Sequence, residues 1–259
     1  MKEAALVLSR ARALARRLSA LEEGPIRTRA AARALASEGA AGAARLLADA
    51  VALAGEGERA LAAALGEALL TPGPELVYEQ LAALYAAAVA GGHETVWSLL
   101  VAPPPRRSYR EPRDRADPGV GHLTLGHKKA LARGNRDPDL LARLAAEGEP
   151  VVVRELLKNP RLTEELVVRI AARRPCRPET LRCLHDDRRW RTRQAVVRAI
   201  ALNPFAEPEL VAKLLPRLGT RELDAIAADG SLHALVRALA SRLVAGRAGG
   251  TGAPPADGS

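Results

Sequence analysis

Apolar residues recur three and four positions apart along most of the chain, and this spacing predicts helices. In residues 2–21, for example, Val7, Leu14 and Leu18 share one helical face, and the run stops at Gly24. The same pattern predicts five further helices over residues 26–37, 41–54, 58–70, 75–90 and 93–101. Nothing in this half alternates with period two over a strand's length, so it predicts a bundle of short helices.

A phrase written three times organises the second half. Each copy predicts a short apolar helix that ends at an Asn or Arg followed by Pro. An Arg lies five residues before this terminal Asn or Arg, and a Leu lies seven residues after it. The copies are Val153–Pro160, Val168–Pro175 and Val197–Pro204. A helix that recurs with a fixed terminator predicts a stack of helical repeats.

The repeat is not uniform in length. Its marker residues, spaced 24, 15, 29 and 26 positions apart, are Asn135, Asn159, Arg174, Asn203 and Asp229. The step of 15 predicts that the helix from Thr163 is the second helix of one repeat and the first of the next. We therefore expect the stack to depart from a regular solenoid near Arg174.

Composition divides the chain into four segments. Residues 102–122 combine proline and charge with almost nothing to bury, which predicts an exposed, extended linker. The segments are a helical bundle at 1–101, this linker, a helical repeat domain at 123–245 and a disordered tail at 246–259. The predicted fold class is all-α, with a short right-handed stack of helical pairs.

The repeated phrase resembles known helical repeats. Its pattern, Val-Arg-x-x-[apolar]-x-Asn-Pro followed by a Thr or Pro helix opener, is similar to bacterial leucine-rich-repeat-variant and HEAT-like repeats over residues 124–244. The stretch 156–175 also resembles a segment of bacterial proteins without a known activity. The resemblance implies a solenoid with a curved binding surface. The variant family can carry a cysteine-ligated iron–sulfur module, but this chain has no amino-terminal cysteine cluster, so we expect no cofactor.

The composition indicates a soluble, cytoplasmic protein with an aliphatic core. Aromatic residues make up only 2% of the 259 residues, so Leu, Val, Ile and Ala must fill the interior. No apolar run is long enough to span a bilayer. Two cysteines, Cys176 and Cys183, form no disulfide framework, and a reducing compartment is the simpler interpretation.

The formal charge of +9 is concentrated on the repeats. Residues 127–247 hold 24 basic and 15 acidic side chains, whereas residues 1–101 hold 10 and 11. Such an excess attracts phosphates or an acidic partner. A coding bias explains it equally well, since the cations are 34 Arg against 5 Lys.

Two sets of arginines are candidate binding residues. Within the basic patch we group Arg173, Arg174, Arg177, Arg182, Arg188, Arg189, Arg191 and Arg193. The equivalent repeat positions Arg154, Arg169 and Arg198 would form a ladder in a regular stack. A ladder can bind an extended anion through planar guanidinium groups, but pairing with neighbouring carboxylates is the favoured interpretation here.

Catalytic and metal motifs are missing from the sequence. Cys176, Cys183 and His185 lie close together, but three ligands without a fourth indicate buried thiols rather than a metal site. The run from Asp186 to Arg191 holds the residue types of HEAT-like DNA glycosylases, yet a single Trp190 is a thin stacking platform. We expect no enzyme activity.

The leading hypothesis is a non-catalytic adaptor whose basic repeat surface binds a protein partner, through an acidic segment of that partner. The alternative is a nucleic-acid-binding protein that contacts phosphates through the same patch. A glycosylase is a remote third.

Overall fold

The computed structural model describes residues 2–52, 56–70, 73–110 and 117–250, with the backbone alone at 2–9, 56–58 and 249–250. Within these ranges the chain forms 15 α-helices and one 3₁₀ turn and contains no β-strand, which confirms the all-α prediction. The helices separate into two compact units. Unit 1 comprises Met1–Pro103, Glu209–Gly230 and Ala234–Ser259, and unit 2 comprises Pro104–Pro208 and Ser231–His233.

None of the described helices is both long and apolar enough to cross a membrane.

Unit 1 is built from helices at both ends of the chain. The first six are α1 (Lys2–Ser19), α2 (Pro25–Ser37), α3 (Gly39–Ala52), α4 (Glu56–Leu70), α5 (Tyr78–Ala90) and α6 (Glu94–Leu99). The later ones are α13 (Pro208–Leu214), the 3₁₀ turn at Leu215–Arg217, α14 (Thr220–Ala228) and α15 (Ala234–Gly250).

Helix α4 is central to the packing of unit 1. It packs against α1, α2, α3 and the 3₁₀ turn after α13, and it buries Leu61 and Leu65 completely. Gly66 allows a close approach here, because a Cβ at this position would lie 2.9 Å from the carbonyl oxygen of Lys213. The buried Lys213 donates to Glu209 one turn earlier at 2.7 Å, so its charge is matched inside the core.

The described part of unit 2 contains six helices of seven to ten residues. They are α7 (Leu125–Gly134), α8 (Pro138–Glu147), α9 (Pro150–Leu156), α10 (Glu164–Ala172), α11 (Pro178–Asp186) and α12 (Gln194–Ala201).

Local sequence explains where the helices of unit 2 begin and end. Thr163 caps α10 by accepting from the backbone N–H of Leu166, and Asp137 caps α8 by accepting from that of Asp139. Proline occupies the first position of α8, α9 and α11, where its missing N–H would have no partner in the helix. Gly148 ends α8 in the left-handed conformation, at φ 65°.

The helices of unit 2 form two rows. Helix α9 packs against α7 and α11, and α10 packs against α8 and α12, so alternate helices are neighbours within a row. Contacts between consecutive helices, such as α8 with α9, join the rows. Within its row α10 lies between α8 and α12, as α9 lies between α7 and α11 in the other row. That α10 is shared by two repeats stays a prediction.

The compact units follow a different division from the predicted domains. The repeat domain was expected to extend to residue 245, but α13, α14 and α15 group with the amino-terminal helices, apart from Pro208. The predicted disordered tail also differs, because α15 continues to Gly250 and buries Arg247. The guanidinium of Arg247 donates to the carbonyl oxygens of Leu218 and Pro216, at 2.8 and 3.0 Å. Residues 251–259 lie outside the described residues.

The predicted linker is irregular and mostly exposed where it is described, but it also contacts unit 2. The backbone N–H of Arg107 donates to the carbonyl oxygen of Pro204 at 3.1 Å, and the guanidinium of Arg177 lies 5.0 Å from the ring centre of Tyr109. Residues 104–110 thus belong to the compact body of unit 2 rather than forming a free tether. Residues 111–116 lie outside the described residues.

Candidate binding surface

The repeated asparagines connect successive helices within a row. Asn159 is buried, and its side-chain N–H groups donate to the carbonyl oxygens of Ala132 and Asn135 at the end of α7, at 2.8 and 2.9 Å. Its side-chain oxygen accepts from the N–H of Arg161 at 2.8 Å. The last carbonyl groups of a helix have no partner within that helix, so Asn159 satisfies groups that would otherwise be buried without a hydrogen bond.

Asn203 makes the same three bonds in the other row. It donates to the carbonyl oxygens of Ala171 and Arg173 at the end of α10, at 2.7 and 3.0 Å, and accepts from the N–H of Phe205 at 3.0 Å. The repeated Asn is thus a connection between neighbouring helices as well as a helix terminator. Sequence reasoning missed this second role, although the recurrence of Asn before Pro was its signal.

Arg189 takes the place of the asparagine after α11. Its guanidinium donates to the carbonyl oxygens of Leu162 and Asn159 beyond the end of α9, at 3.1 and 3.5 Å. The same group lies 4.3 Å from the ring centre of Trp190, within cation–π range. Arg189, one of the predicted patch residues, therefore connects the end of α11 to the end of α9. The carbonyl acceptors are uncharged, so these contacts do not neutralise its positive charge.

Arg174 stands where the other two copies have Asn, and it points forward along the chain. It is exposed, and its guanidinium donates to the carbonyl oxygen of Leu202 at the end of α12. A carbonyl oxygen satisfies the N–H group but is uncharged, so the positive charge of Arg174 is also uncompensated by this contact.

Three other patch arginines are paired with carboxylates. Arg182 donates through two nitrogen atoms to one oxygen of Glu207. Arg177 lies 3.3 Å from a carboxylate oxygen of Glu149. Arg193 lies 3.8 Å from a carboxylate oxygen of Glu164, and their side chains are 56% and 42% exposed. These pairs connect α11 or its flanks to other elements of unit 2 and reduce the charge that the patch presents.

The remaining patch residues differ in exposure. Arg188 is exposed and makes no ion pair within the described residues, whereas Arg191 is half-buried. Arg173 is also half-buried and lies against Gly148, where an added Cβ would come 2.1 Å from its Nη1 atom. Glycine is thus required at position 148 for two reasons: the backbone is left-handed there, and the Arg173 guanidinium occupies the place of a Cβ.

The predicted ladder is divided between the two rows. Arg154 lies on α9, whereas Arg169 and Arg198 lie on α10 and α12 of the other row. All three are exposed. Arg154 contacts the sulfur of Cys183 on α11 at 3.6 Å, and Arg169 pairs with Glu165 of its own helix at 3.0 Å. One continuous line of three arginines would require all three helices in one row.

The net charge of the chain belongs to unit 2. Residues 104–208 contain 23 Lys and Arg against 14 Asp and Glu, a formal charge of +9, and residues 231–233 contain no such side chain. The formal charge of the whole chain is also +9, so unit 1 is neutral by the same count. The excess of positive charge extends beyond the predicted patch and coincides with the bounds of unit 2.

The candidate metal ligands are placed as core residues. Cys176 and His185 are buried, and Cys183 is half-buried. Burial raises the pKa of the Cys176 thiol to about 11, against a smaller opposing effect of Arg173. Among the residues described, no cluster of three His, Cys, Asp or Glu side chains is arranged to hold a metal ion.

The aromatic side chains of unit 2 are not presented for stacking. Trp190 is 2% exposed and Phe205 is 7% exposed, while Tyr109 is half-buried beside Arg177. Trp190 therefore anchors the turn before α12 instead of forming a platform for a base.

Comparisons with protein-family models, curated proteins and solved structures gave no match to this chain. The resemblance to leucine-rich-repeat-variant and HEAT-like repeats accordingly stays a prediction.

Proposed function

We propose that the protein is a non-catalytic adaptor that binds an acidic segment of a protein partner through unit 2. The observation that carries this proposal is the confinement of the whole +9 charge to residues 104–208 while unit 1 is neutral. A positive electrostatic potential around one unit attracts a negatively charged ligand and speeds its association.

The contacts of the patch support the same proposal. Arg174 and Arg189 donate to backbone carbonyl oxygens, and these contacts hold the guanidinium groups in place without cancelling their charge. Arg188, next to Arg189 in the sequence, is exposed. Arginines that are held by the fold lose less side-chain entropy when they bind a carboxylate.

Nucleic-acid binding is the second candidate, because the same guanidinium groups fit phosphate oxygens. It would depend on backbone contacts, since the buried Trp190 and Phe205 offer no surface on which bases can stack. The same burial of Trp190 disfavours the glycosylase hypothesis, which needs that ring beside the damaged base.

Fluorescence anisotropy tests the proposal with two labelled probes, a 20-residue Glu-rich peptide and a 20-base-pair DNA duplex, at several salt concentrations. We expect the peptide to bind at about 150 mM salt, where exposed charges are screened over about 8 Å. Arg174→Glu combined with Arg188→Glu should weaken peptide binding at least tenfold.

Arg221→Glu is the matched control, because Arg221 is an exposed arginine of unit 1. This variant has the same charge change per site and should leave binding intact. Loss of peptide binding at 150 mM salt in the unaltered protein would refute the adaptor proposal. DNA binding that persists at that salt concentration, with a steep salt dependence, would favour the second candidate.

A further inference from the structure

Helix α5 of unit 1 has an apolar face that none of the described residues covers. Its inner face buries Leu84 and Ala88 against the unit. A second face exposes Tyr78 by 80%, Tyr85 by 40% and Val89 by 51%. Soluble helices usually turn charged side chains to water, so an apolar exposed face indicates a contact surface.

The exposed residues of α5 have the spacing of a helix–helix seam. Tyr78, Ala82, Tyr85 and Val89 follow one another at intervals of four, three and four residues, and all four are exposed. This is the alternation by which two helices pack side by side over about two heptads. The seam therefore has the spacing that packing against another helix requires.

We propose that the exposed seam of α5 associates with the same seam of a second copy of this chain, antiparallel about a two-fold axis. In this register Tyr78 of one copy faces Val89 of the other, and Ala82 faces Tyr85. Each large side chain then meets a smaller one, and both pairs recur on the other side of the axis. A two-fold interface requires this kind of self-complementarity. The association is independent of the proposed function of unit 2.

Charge also favours a second copy in this orientation. Glu79 is the single ionisable acid or base in the helix apart from the two tyrosines. In the antiparallel pair the two Glu79 residues lie opposite Ala88, nine residues apart along the axis, or roughly 13 Å. This separation exceeds the Debye length of about 8 Å at physiological ionic strength. A parallel pair would instead place the two carboxylates side by side.

The area of the seam sets the strength that we expect. A fully exposed Tyr offers roughly 150–250 Å², so Tyr78, Tyr85 and Val89 together provide on the order of 300–400 Å² per copy. Two copies would bury less than the roughly 1,000 Å² of stable interfaces, which places the dimer among weak and reversible ones. We therefore expect a monomer–dimer equilibrium between about 5 and 500 µM.

Sedimentation velocity of the full chain over that concentration range measures the equilibrium. Tyr78→Glu and Val89→Lys place a charge in the seam, and each should raise the dissociation constant at least tenfold. Each substitution also suits its helix end, since acids stabilise the first turn and bases the last. An equimolar mixture of the two variants should associate more tightly than either alone, because the introduced acid and base face each other once per dimer.

Leu125→Glu is the matched control. Leu125 is 48% exposed and begins α7 of unit 2, as Tyr78 begins α5, so the control introduces the same carboxylate in place of an exposed apolar side chain at the same position of another helix. It should leave the dissociation constant unchanged. Circular dichroism confirms that each variant keeps its helix content. A single monomeric species up to 500 µM would overturn the proposal, as would a dimer that the α5 variants leave unaltered or a mixture that shows no recovery.

Discussion

Replacing Asn203 by Ala tests whether the repeated asparagine holds successive helices together. The substitution removes three hydrogen bonds at once: those to the carbonyl oxygens of Ala171 and Arg173, and that from the N–H of Phe205. The Ala171 and Phe205 bonds are buried, and the Arg173 bond is partly buried. Water cannot readily replace the lost partner at the two buried groups.

The magnitude follows from the number of groups left without a partner. A buried donor or acceptor that loses its partner destabilises the fold by about 1–3 kcal/mol. With partial relaxation at Arg173, the three groups together predict a loss of about 3 kcal/mol in the free energy of unfolding. This is a large part of the roughly 5–15 kcal/mol that is typical of a folded protein. Asn159→Ala should have a similar effect, because Asn159 makes the corresponding three bonds.

Guanidinium denaturation monitored by tryptophan fluorescence measures the effect in unit 2. Trp97 lies in unit 1 and Trp190 in unit 2, so a Trp97→Phe background leaves Trp190 as the reporter. Asn135→Ala is the control, because the side chain of Asn135 accepts one exposed bond, from the N–H of Asp137. We expect the control to lose less than about 1 kcal/mol. Equal losses at Asn135 and Asn203, or a loss below about 1 kcal/mol at Asn203, would refute the reasoning.

Two further predictions concern single residues of unit 2. Gly148→Ala should lower the free energy of unfolding by about 1–3 kcal/mol, because the position has φ 65° and the new Cβ would displace Arg173. Gly134→Ala is the control in the same denaturation experiment, because the space around Gly134 is open. A thiol reagent applied to the folded protein at neutral pH should modify the half-buried Cys183 and leave Cys176 unmodified, because burial raises the pKa of the Cys176 thiol to about 11. Mass spectrometry that found Cys176 labelled first would contradict this prediction.

Local signals in the sequence predicted the helices of unit 2 well. Thr124 and Asp137 cap α7 and α8, and such caps are recognisable in a sequence because a capping side chain acts on the backbone within three residues of itself. Such features depend on neighbours in the sequence, so one sequence is enough to recognise them.

Features that depend on distant partners could not be predicted in the same way. The apolar face of α14 shows that the helix is buried on one side, but periodicity does not specify which core covers it. Arg247 lies in a segment whose composition indicated disorder, yet its acceptors are the carbonyl oxygens of Pro216 and Leu218. Every residue has a carbonyl group, so no residue type marks these two as partners. For the same reason, the partners of Arg174 and Arg189 were not foreseen.

The two-row arrangement of unit 2 also limits how the stack can be lengthened. Because neighbours within a row are two helices apart, α9 and α10 belong to opposite rows even though their sequences carry the same phrase. Inserting one helix would move every later helix of unit 2 to the other row, whereas inserting a pair would leave the rows as they are. An engineered extension of this protein must therefore add helices in even numbers. Copying the single helix of one 15-residue step would move the later helices to the opposite row instead of enlarging the surface.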